Sequence, residues 1–436
     1  MKTDFRGVPV SAGSETALAA SDNFNRRLVR MDAGVGEIFA AQAAEPDDPL
    51  LALYTALVNL YGQQQAGNDA AAELLTQVAD LSADLSPRDR MFLGALDAIC
   101  RRRYREARDK LEALTAAFPE DLLAAKVCEF AYYLLGQHYS GPRFRDHMAR
   151  LAPAHGDDPD FLGMLSFAYE LSDEFAEAEA IGLRAIDAES RNPWAEHAIS
   201  HALIRQGRAV EGRDRMRAFL PVLRTCDPLI FCHDIWHLAL LELDLGDLAE
   251  ARRILEEDVW GPYPGTSAQQ VDAVSLGWRL EMAGIDFGTF WDDVADQAEM
   301  ATGSVFIPFV SAHLAYALAR AGRTDAVTRL ITAVRERTAA DDEEARHVWV
   351  PVGRAVVEAA AAHGAGDFAR AASLLEPVAD KIAMVGGSDA QTDLFRLSLA
   401  VSMARTGRGA DARTYWDAVT PARDETEFDR KALGLT

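Results

Sequence analysis

Cysteine is scarce in this sequence. The 436 residues include four cysteines, Cys100, Cys128, Cys226 and Cys232, and none of them forms a Cys-x-x-Cys pair. So few thiols at such spacings argue against a disulfide framework. The sequence therefore predicts buried free thiols in a reducing compartment.

Long apolar runs are also lacking. No uncharged apolar run approaches the roughly 18 residues of a membrane helix. The first residues carry Asp4, Arg6 and Glu15 without the apolar core of a signal peptide. We therefore expect a soluble cytoplasmic protein without a membrane span.

Basic residues are in deficit, and strand-like patterns are rare. There are 44 basic against 68 acidic side chains, which gives a formal charge of −24. Such a field repels phosphate backbones and anionic lipids, so neither nucleic acid nor a membrane surface is an expected partner. The composition is 49% hydrophobic and rich in good helix formers such as Ala, Leu, Arg and Glu. An all-α fold follows.

The sequence contains a recurring unit of two helices. A hydrophobic-x-x-Ala signal opens the second helix at Tyr104–Ala107, Phe175–Ala178 and Leu248–Ala251, and more weakly near Phe368. Turn markers lie 35 to 44 residues apart, near the period of tetratricopeptide (TPR) hairpins at about 34 residues. The markers are Gly136, the region of Ser172, Gly207, Gly246, Gly284, Gly322, Gly366 and Gly407.

These repeats predict a right-handed, TPR-like superhelical solenoid of about eight to ten antiparallel helical hairpins. We expect an N-terminal arm over residues 1–20, a single repeat domain over 21–420 and a frayed C-terminal tail over 421–436. The segment Trp260–Ser267 carries two Pro and two Gly, which exclude a helix. It is either a crossover loop or a lid over the concave face.

Two pairs of histidines are the main candidate site. His197 and His201 are four residues apart, as are His233 and His237, so each pair shares a helix face. If the helices are neighbours, four imidazoles converge. They could bind zinc or another first-row divalent metal, line a pocket for an organic ligand, or satisfy one another at a helix seam. Neither pair is a zincin motif, because Glu does not follow the first His.

Other polar residues extend the candidate site. Repeat register predicts that Glu129, Glu170 and His313 face the same groove as the histidine pairs. Arg279 beside Trp278 could recognise a carboxylate, or could form an ordinary ion pair beside a core tryptophan. Residues 386–393 predict a glycine turn before a helix, with Ser388 or Asp389 as N-cap.

The ordered motifs resemble those of a known family. They run from Tyr104-Arg-Glu-Ala107 through Trp194-Ala-Glu-His197 and Trp236-His237-Leu-Ala-Leu240 to Gly386-Gly387-Ser388. This set is similar to the tetratricopeptide repeat protein 38 family over about residues 103–408. The resemblance implies a helical-repeat fold with inward polar residues and no particular activity. It would place His at Glu129 and Asp389, and Asp and Arg at Ser311 and Thr392, so a family activity need not transfer.

The sequence favours a protein that binds a small polar molecule or a peptide in a His- and carboxylate-lined concave pocket. The alternatives are a metal-dependent hydrolase, in which the four histidines and Glu129 or Glu170 activate water, and a scaffold without ligand. The oligomeric state is left open. The predicted ligand-binding set is Glu129, Glu170, His197, His201, His233, Trp236, His237, Asp272, Arg279, His313, Asp389 and Gln391.

Overall fold

The computed structural model describes residues 2–81, 84–260 and 267–434. Apart from one short antiparallel hairpin of β1 (Lys2–Thr3) and β2 (Pro9–Val10), in which Lys2 is opposite Val10, the elements described are helical. The chain forms two compact units. No helix in these ranges is both long and apolar enough to cross a bilayer.

The first unit comprises Met1–Leu135, Ser140–Ala198 and Thr225–Asp227. Its core lies between paired helices and includes the fully buried rings of Tyr54 and Phe92. Its helices are α1 (Glu15–Arg30), α2 (Glu37–Ala44), α3 (Pro49–Tyr61), α4 (Gln65–Asp80), α5 (Pro87–Cys100), α6 (Tyr104–Ala117), α7 (Leu122–Leu135), α8 (Gly141–His155), α9 (Pro159–Glu170), α10 (Phe175–Ala188) and the first part of α11 (Pro193–Arg205).

The second unit comprises Gly136–Tyr139, Ile199–Arg224 and Pro228–Thr436. π-Helical turns at Leu255–Val259 and Trp349–Gly353 and a 3-10 segment at Glu376–Met384 interrupt its hairpins. Besides the end of α11, its helices are α12 (Ala209–Leu223), α13 (Pro228–Asp244), α14 (Leu248–Ile254), α15 (Ser267–Met282), α16 (Phe290–Met300), α17 (Pro308–Arg320), α18 (Thr324–Ala340), α19 (Arg354–Gly364), α20 (Phe368–Leu375), α21 (Asp389–Arg405), α22 (Gly409–Val419) and α23 (Glu427–Leu433).

The hairpin turns repeat one backbone conformation. At the end of α17, Gly322 has a φ of 70°, and the next N–H, of Arg323, donates to the carbonyl of Leu318 at 2.8 Å. This is the Schellman arrangement, which requires a left-handed residue and therefore favours glycine. The marker expected near Ser172 falls on Asp173, with a φ of 60°. The predicted glycine turns are confirmed by positive φ at Gly136, Gly207, Gly246, Gly284, Gly322, Gly366 and Gly407.

The hydrophobic-x-x-Ala signals open helices as predicted. Tyr104, Phe175, Leu248 and Phe368 are the first residues of α6, α10, α14 and α20. The alanine three residues later is fully buried in each case, because a small side chain lets paired helices approach closely. These features confirm an all-α, TPR-like helical-repeat fold.

Both ends of the described chain contain more structure than a disordered arm or tail. Helix α1 begins at Glu15, because the Ser14 side chain accepts the N–H of Ala17 and caps it. For the described residues 421–434 the prediction of fraying is wrong, since α23 has a capping box at Thr426 and buries Phe428 and Leu433. Charge alone suggested a solvated tail, but the apolar residues of this segment pack onto the second unit.

Helices distant in sequence pack together in the second unit. Helix α15 contacts α21, and α23 contacts α13, α15 and α21. An array that contacted only its neighbours would lack these contacts. They bring side chains from α11, α13, α15 and α21 into one region. Residues 261–266 of the predicted lid or crossover loop lie outside the described residues.

Candidate functional site

Three of the four predicted histidines meet within the second unit. The imidazoles of His201 on α11 and His237 on α13 have centroids 4.4 Å apart, and those of His233 and His237 are 4.7 Å apart. One ring nitrogen from each lies within 4.8 Å of the others. His201 and His237 are fully buried, while the His233 side chain is 18% exposed. The i, i+4 spacing of His233 and His237 produces this approach, as predicted.

A carboxylate lies behind two of these imidazoles. Nδ1 of His233 is 3.1 Å from Oδ2 of Asp272 on α15, and Nδ1 of His201 is 3.0 Å from Oδ1 of Asp389 on α21. An ionised carboxylate only accepts, so each Nδ1 carries the proton. In the neutral ring Nε2 is then an acceptor, and Nε2 of His233 is 3.3 Å from Nε2 of His237.

Arg205 and Asp393, which are both partly buried, extend this charge network and were not in the predicted ligand-binding set. Nε of Arg205 lies 3.1 Å from Oδ2 of Asp389, and its Nη1 lies 3.3 Å from Oδ2 of Asp393. Their spacing could have indicated them. Arg205 is four residues after His201, and Asp393 is four residues after Asp389, so each shares a helix face with a predicted residue. Arg205 supplies a positive charge to Asp389 while His201 stays available as a neutral ring.

Burial and charge set the protonation of this pair. Burial lowers the pKa of His201, and Asp389 only partly offsets that effect. Burial acts to raise the pKa of Asp389, but the hydrogen bond and charge of His201 and the charge of Arg205 outweigh it and hold the pKa well below its usual range. The arrangement therefore has a neutral imidazole beside an ionised carboxylate.

Arg279 and Trp236 lie beside this network. The Arg279 guanidinium is 5.5 Å from the Trp236 ring centroid, and its Nη2 donates to the Ala390 carbonyl at 2.8 Å. Trp278, its sequence neighbour, instead stacks on Tyr316 at 3.9 Å. The cation beside an aromatic face was predicted, but the aromatic partner is Trp236 because adjacent helix residues point about 100° apart.

His313 and the start of α21 are engaged in local structure. His313 is fully buried, and its Nδ1 donates to the Phe309 carbonyl at 2.8 Å. Burial lowers the pKa of His313 to about 3. Of the two N-cap candidates, Ser388 caps α21, and Gln391 returns a hydrogen bond to the Ser388 N–H at 2.9 Å. Gln391 has a structural role here, whatever else it contacts.

The remaining predicted residues belong to the first unit. Glu129 is buried and accepts from Lys126 at 2.7 Å and from Nε1 of Trp194 at 3.1 Å. His197 is buried and stacks on Trp194 with centroids 4.5 Å apart. Glu170 is buried at the end of α9. Burial raises the pKa of Glu129. A groove shared with His313, and the convergence of all four histidines, stay predictions.

The second unit also contains a cavity of about 60 Å³. From the predicted ligand set, Arg279 lines it. Sequence reasoning missed the other charged side chains on its wall. They are Arg205, Asp244, Asp393 and Arg423.

A family profile agrees with the repeat class, and solved structures of other proteins are similar to this chain. The tetratricopeptide repeat family profile matches residues 236–257, which include the end of α13, the Gly246 turn and all of α14. A crystal structure of Rap protein complexed with Competence and Sporulation Factor is 10% identical, with 94% of this chain and 98% of that chain covered and a TM-score of 0.42.

Two further solved structures are also similar to this chain. The human IFIT1 dimer with PPP-AAAA is 12% identical, with 94% and 95% of the two chains covered and a TM-score of 0.43. The apo form of the quorum sensor NprR from B. thuringiensis is 13% identical, with 93% and 97% covered and a TM-score of 0.33. The class defined by the helices and the profile is an all-α, TPR-like helical-repeat protein.

Proposed function

We propose that the second unit binds a divalent first-row transition metal, zinc in the first instance, through His201, His233 and His237. The observation that carries the proposal is the 3.3 Å distance between Nε2 of His233 and Nε2 of His237. Two imidazole nitrogens bound to one tetrahedral zinc at ~2.0–2.1 Å lie about 3.3 Å apart. The spacing of the two rings is therefore the spacing that a shared metal requires.

The carboxylates behind the rings support the same reading. Metal-ligating histidines usually donate their other ring N–H to a carboxylate or carbonyl, which fixes the tautomer and the ring orientation. Asp272 does this for His233, and Asp389 does it for His201. A seam of mutually satisfied imidazoles would not need two buried carboxylates.

Three protein ligands leave one position of a tetrahedral metal for water or a polar ligand. A bound zinc would supply Lewis acidity and lower the pKa of a bound water. The chain's own contribution is to hold three imidazoles oriented in a site whose exposed edge is His233, with burial lowering the pKa of His201. This supports a binding site for a small polar molecule, as the sequence favoured, and makes a hydrolase the second candidate.

Membership in the tetratricopeptide repeat protein 38 family, a cytoplasmic location and a small polar or peptide partner are part of this proposal. The ordered motifs over residues 103–408 support the family. Four buried free cysteines support a reducing compartment. The absence of nucleic acid as a partner stays a prediction that rests on charge.

The test is metal uptake by protein purified without an affinity tag. After chelator treatment, we expect about one equivalent of zinc or cobalt to bind per chain, with the visible absorption of tetrahedral cobalt. His237→Asn should lose this binding. His313→Asn, which removes a buried histidine from the same unit, should keep it.

A second variant separates metal loss from misfolding. Asp272→Asn keeps an acceptor for Nδ1 of His233 but removes the charge, and we expect zinc affinity to fall about 10–100-fold. Competition with a chromophoric chelator measures this change, and circular dichroism verifies folding. Folded wild-type protein that takes up neither zinc nor cobalt would overturn the proposal. The imidazoles would then only satisfy one another where the helices pack together.

A further inference from the structure

A second candidate site is the cavity of about 60 Å³ where α11, α13, α15 and α21 meet the segment around α23. A water needs ≳ 10–15 Å³ of such volume, so the cavity has room for about four waters or a small molecule. Its apolar wall includes Leu240, Leu243, Trp416 and Phe428. Its polar wall carries three guanidinium groups and two carboxylates, from Arg205, Arg279, Arg423, Asp244 and Asp393.

Three of these five charges are already in ion pairs. Arg205 lies 3.3 Å from Asp393, and Arg423 donates to Asp429 at 2.6 Å and 3.1 Å. Asp393 also accepts from Arg396 at 2.7 Å. Charges held in this way are compensated without a ligand.

Arg279 differs from the other two arginines. It is 5% exposed, and its Nη groups donate to the Ser275 carbonyl and hydroxyl and to the Ala390 carbonyl. Within the described ranges no carboxylate lies within 4 Å of its guanidinium, and its Nε–H has no hydrogen-bond acceptor. A buried cation with only neutral partners is costly, which explains why burial lowers the pKa of Arg279 to about 10.

Asp244 is the complementary case on the same wall. It lies at the end of α13, and no Lys or Arg nitrogen in the described part of the chain lies within 4 Å of its carboxylate. Burial raises the pKa of Asp244 to about 6, against the nearby charge of Arg423. The Ser275 hydroxyl accepts from Arg279, and the Thr426 hydroxyl donates to Asp244. The cavity therefore presents one cation and one anion that form no ion pair with each other or with another side chain in the described ranges.

We propose that this cavity binds a small zwitterion, of the chemical class of a small α-amino acid. The ligand's carboxylate pairs with the guanidinium of Arg279, which retains the Nε–H and one Nη2–H of its five donors. Its ammonium pairs with Asp244. The volume and the Leu240, Leu243 and Trp416 wall admit a side chain no larger than a methyl or hydroxymethyl group.

The experiment is calorimetric titration of the full chain with glycine, alanine, acetate and phenylalanine. We expect glycine or alanine to bind, phenylalanine not to bind, and acetate to bind at least about tenfold more weakly, because it leaves Asp244 unpaired. Arg279→Gln should weaken glycine binding about tenfold or more, and Asp244→Asn should do the same without affecting acetate. Arg217→Gln, which removes an ion pair to Glu242 elsewhere in the unit, is the matched control.

Amino-acid binding in the cavity can be distinguished from binding to a metal at the histidines. Amino acids chelate zinc, so the titration is repeated with chelator-treated protein and with His237→Asn, and glycine binding should persist in both. Wild-type protein that binds neither glycine nor alanine would overturn the proposal. Acetate binding as tightly as glycine, or an equal loss in Arg217→Gln, would also overturn it.

Discussion

The histidines of the second unit differ in what lies behind Nδ1. For His201 and His233 it is a carboxylate, whereas His313 donates to the Phe309 carbonyl and His363 lies 3.1 Å from the Ser402 hydroxyl. A carboxylate makes the ring more basic at Nε2, while a neutral partner in an apolar site favours an uncharged ring. Residue type alone therefore does not separate ligand-like histidines from core histidines.

His313 should make the protein sensitive to acid. Its folded-state pKa is lowered from 6.5 to about 3 by burial. As the pH falls through this window, the unfolded chain takes up a proton at residue 313 that the folded chain does not, so the free energy of unfolding decreases. We expect His313→Asn to lose about 2 kcal/mol less stability than wild type between pH 6.5 and 5. Urea denaturation at a series of pH values measures this, and identical slopes would contradict it.

The sequence was informative about the candidate site where spacing carried the signal. The i, i+4 rule predicted that His233 and His237 face one way, and they do. Which acid lies behind each ring depends on α15 and α21, distant in sequence, so spacing could not pair Asp272 with His233. Arg205 and Asp393 follow the same four-residue spacing, but their ion pair could not be predicted without knowing that α11 and α21 are in contact.

At the scale of elements, the left-handed turn is the repeated feature. A glycine in this turn can be required by the positive φ alone, or by the positive φ together with a lack of space for a Cβ. A Cβ on Gly322 would meet no atom within 4 Å, whereas one on Gly136 would lie 2.1 Å from the Ala383 carbonyl oxygen. Position 322 therefore requires glycine only because of its positive φ. Position 136 requires glycine because of its positive φ and because a Cβ has no space there.

Alanine at these two positions should separate the two requirements. Gly322→Ala introduces only the backbone strain of a side chain at positive φ, and it should lower the free energy of unfolding by about 1–2 kcal/mol. Gly136→Ala must also displace backbone and should cost more than about 3 kcal/mol. Urea unfolding of both variants tests this, with Gly322→Asn expected to cost less than Gly322→Ala. Equal costs for the two alanine variants would argue against the steric contact.

Element starts and turns were predictable because they are local. Gly and the hydrophobic-x-x-Ala signals marked them correctly, and the marker placed near Ser172 lies one residue from the left-handed turn at Asp173. The π-helical turns at Leu255–Val259 and Trp349–Gly353 were not predicted, since a one-residue insertion in a helix leaves no period to detect. Helix α23 was missed because its four charged residues outnumber its three buried apolar residues, Phe428, Ala432 and Leu433.

At the scale of the whole molecule, the formal charge of −24 is the dominant property. Phosphate binding needs local positive charge to release counterions, and most arginines described here are paired with Asp or Glu. We expect no binding of a fluorescently labelled single-stranded RNA at physiological salt, measured by anisotropy. Binding that weakens steeply with added salt would show a basic surface that the net charge conceals.

Asp389 and His201 are 188 positions apart in the chain, yet they form one hydrogen bond. The local hairpins need only short loop closures and can form early, whereas a contact of this span forms slowly. During refolding, most helical circular dichroism should therefore return before α21 reaches α11. The proposed metal site would be completed in that last step, so the cobalt colour expected of it would report completion of the second unit.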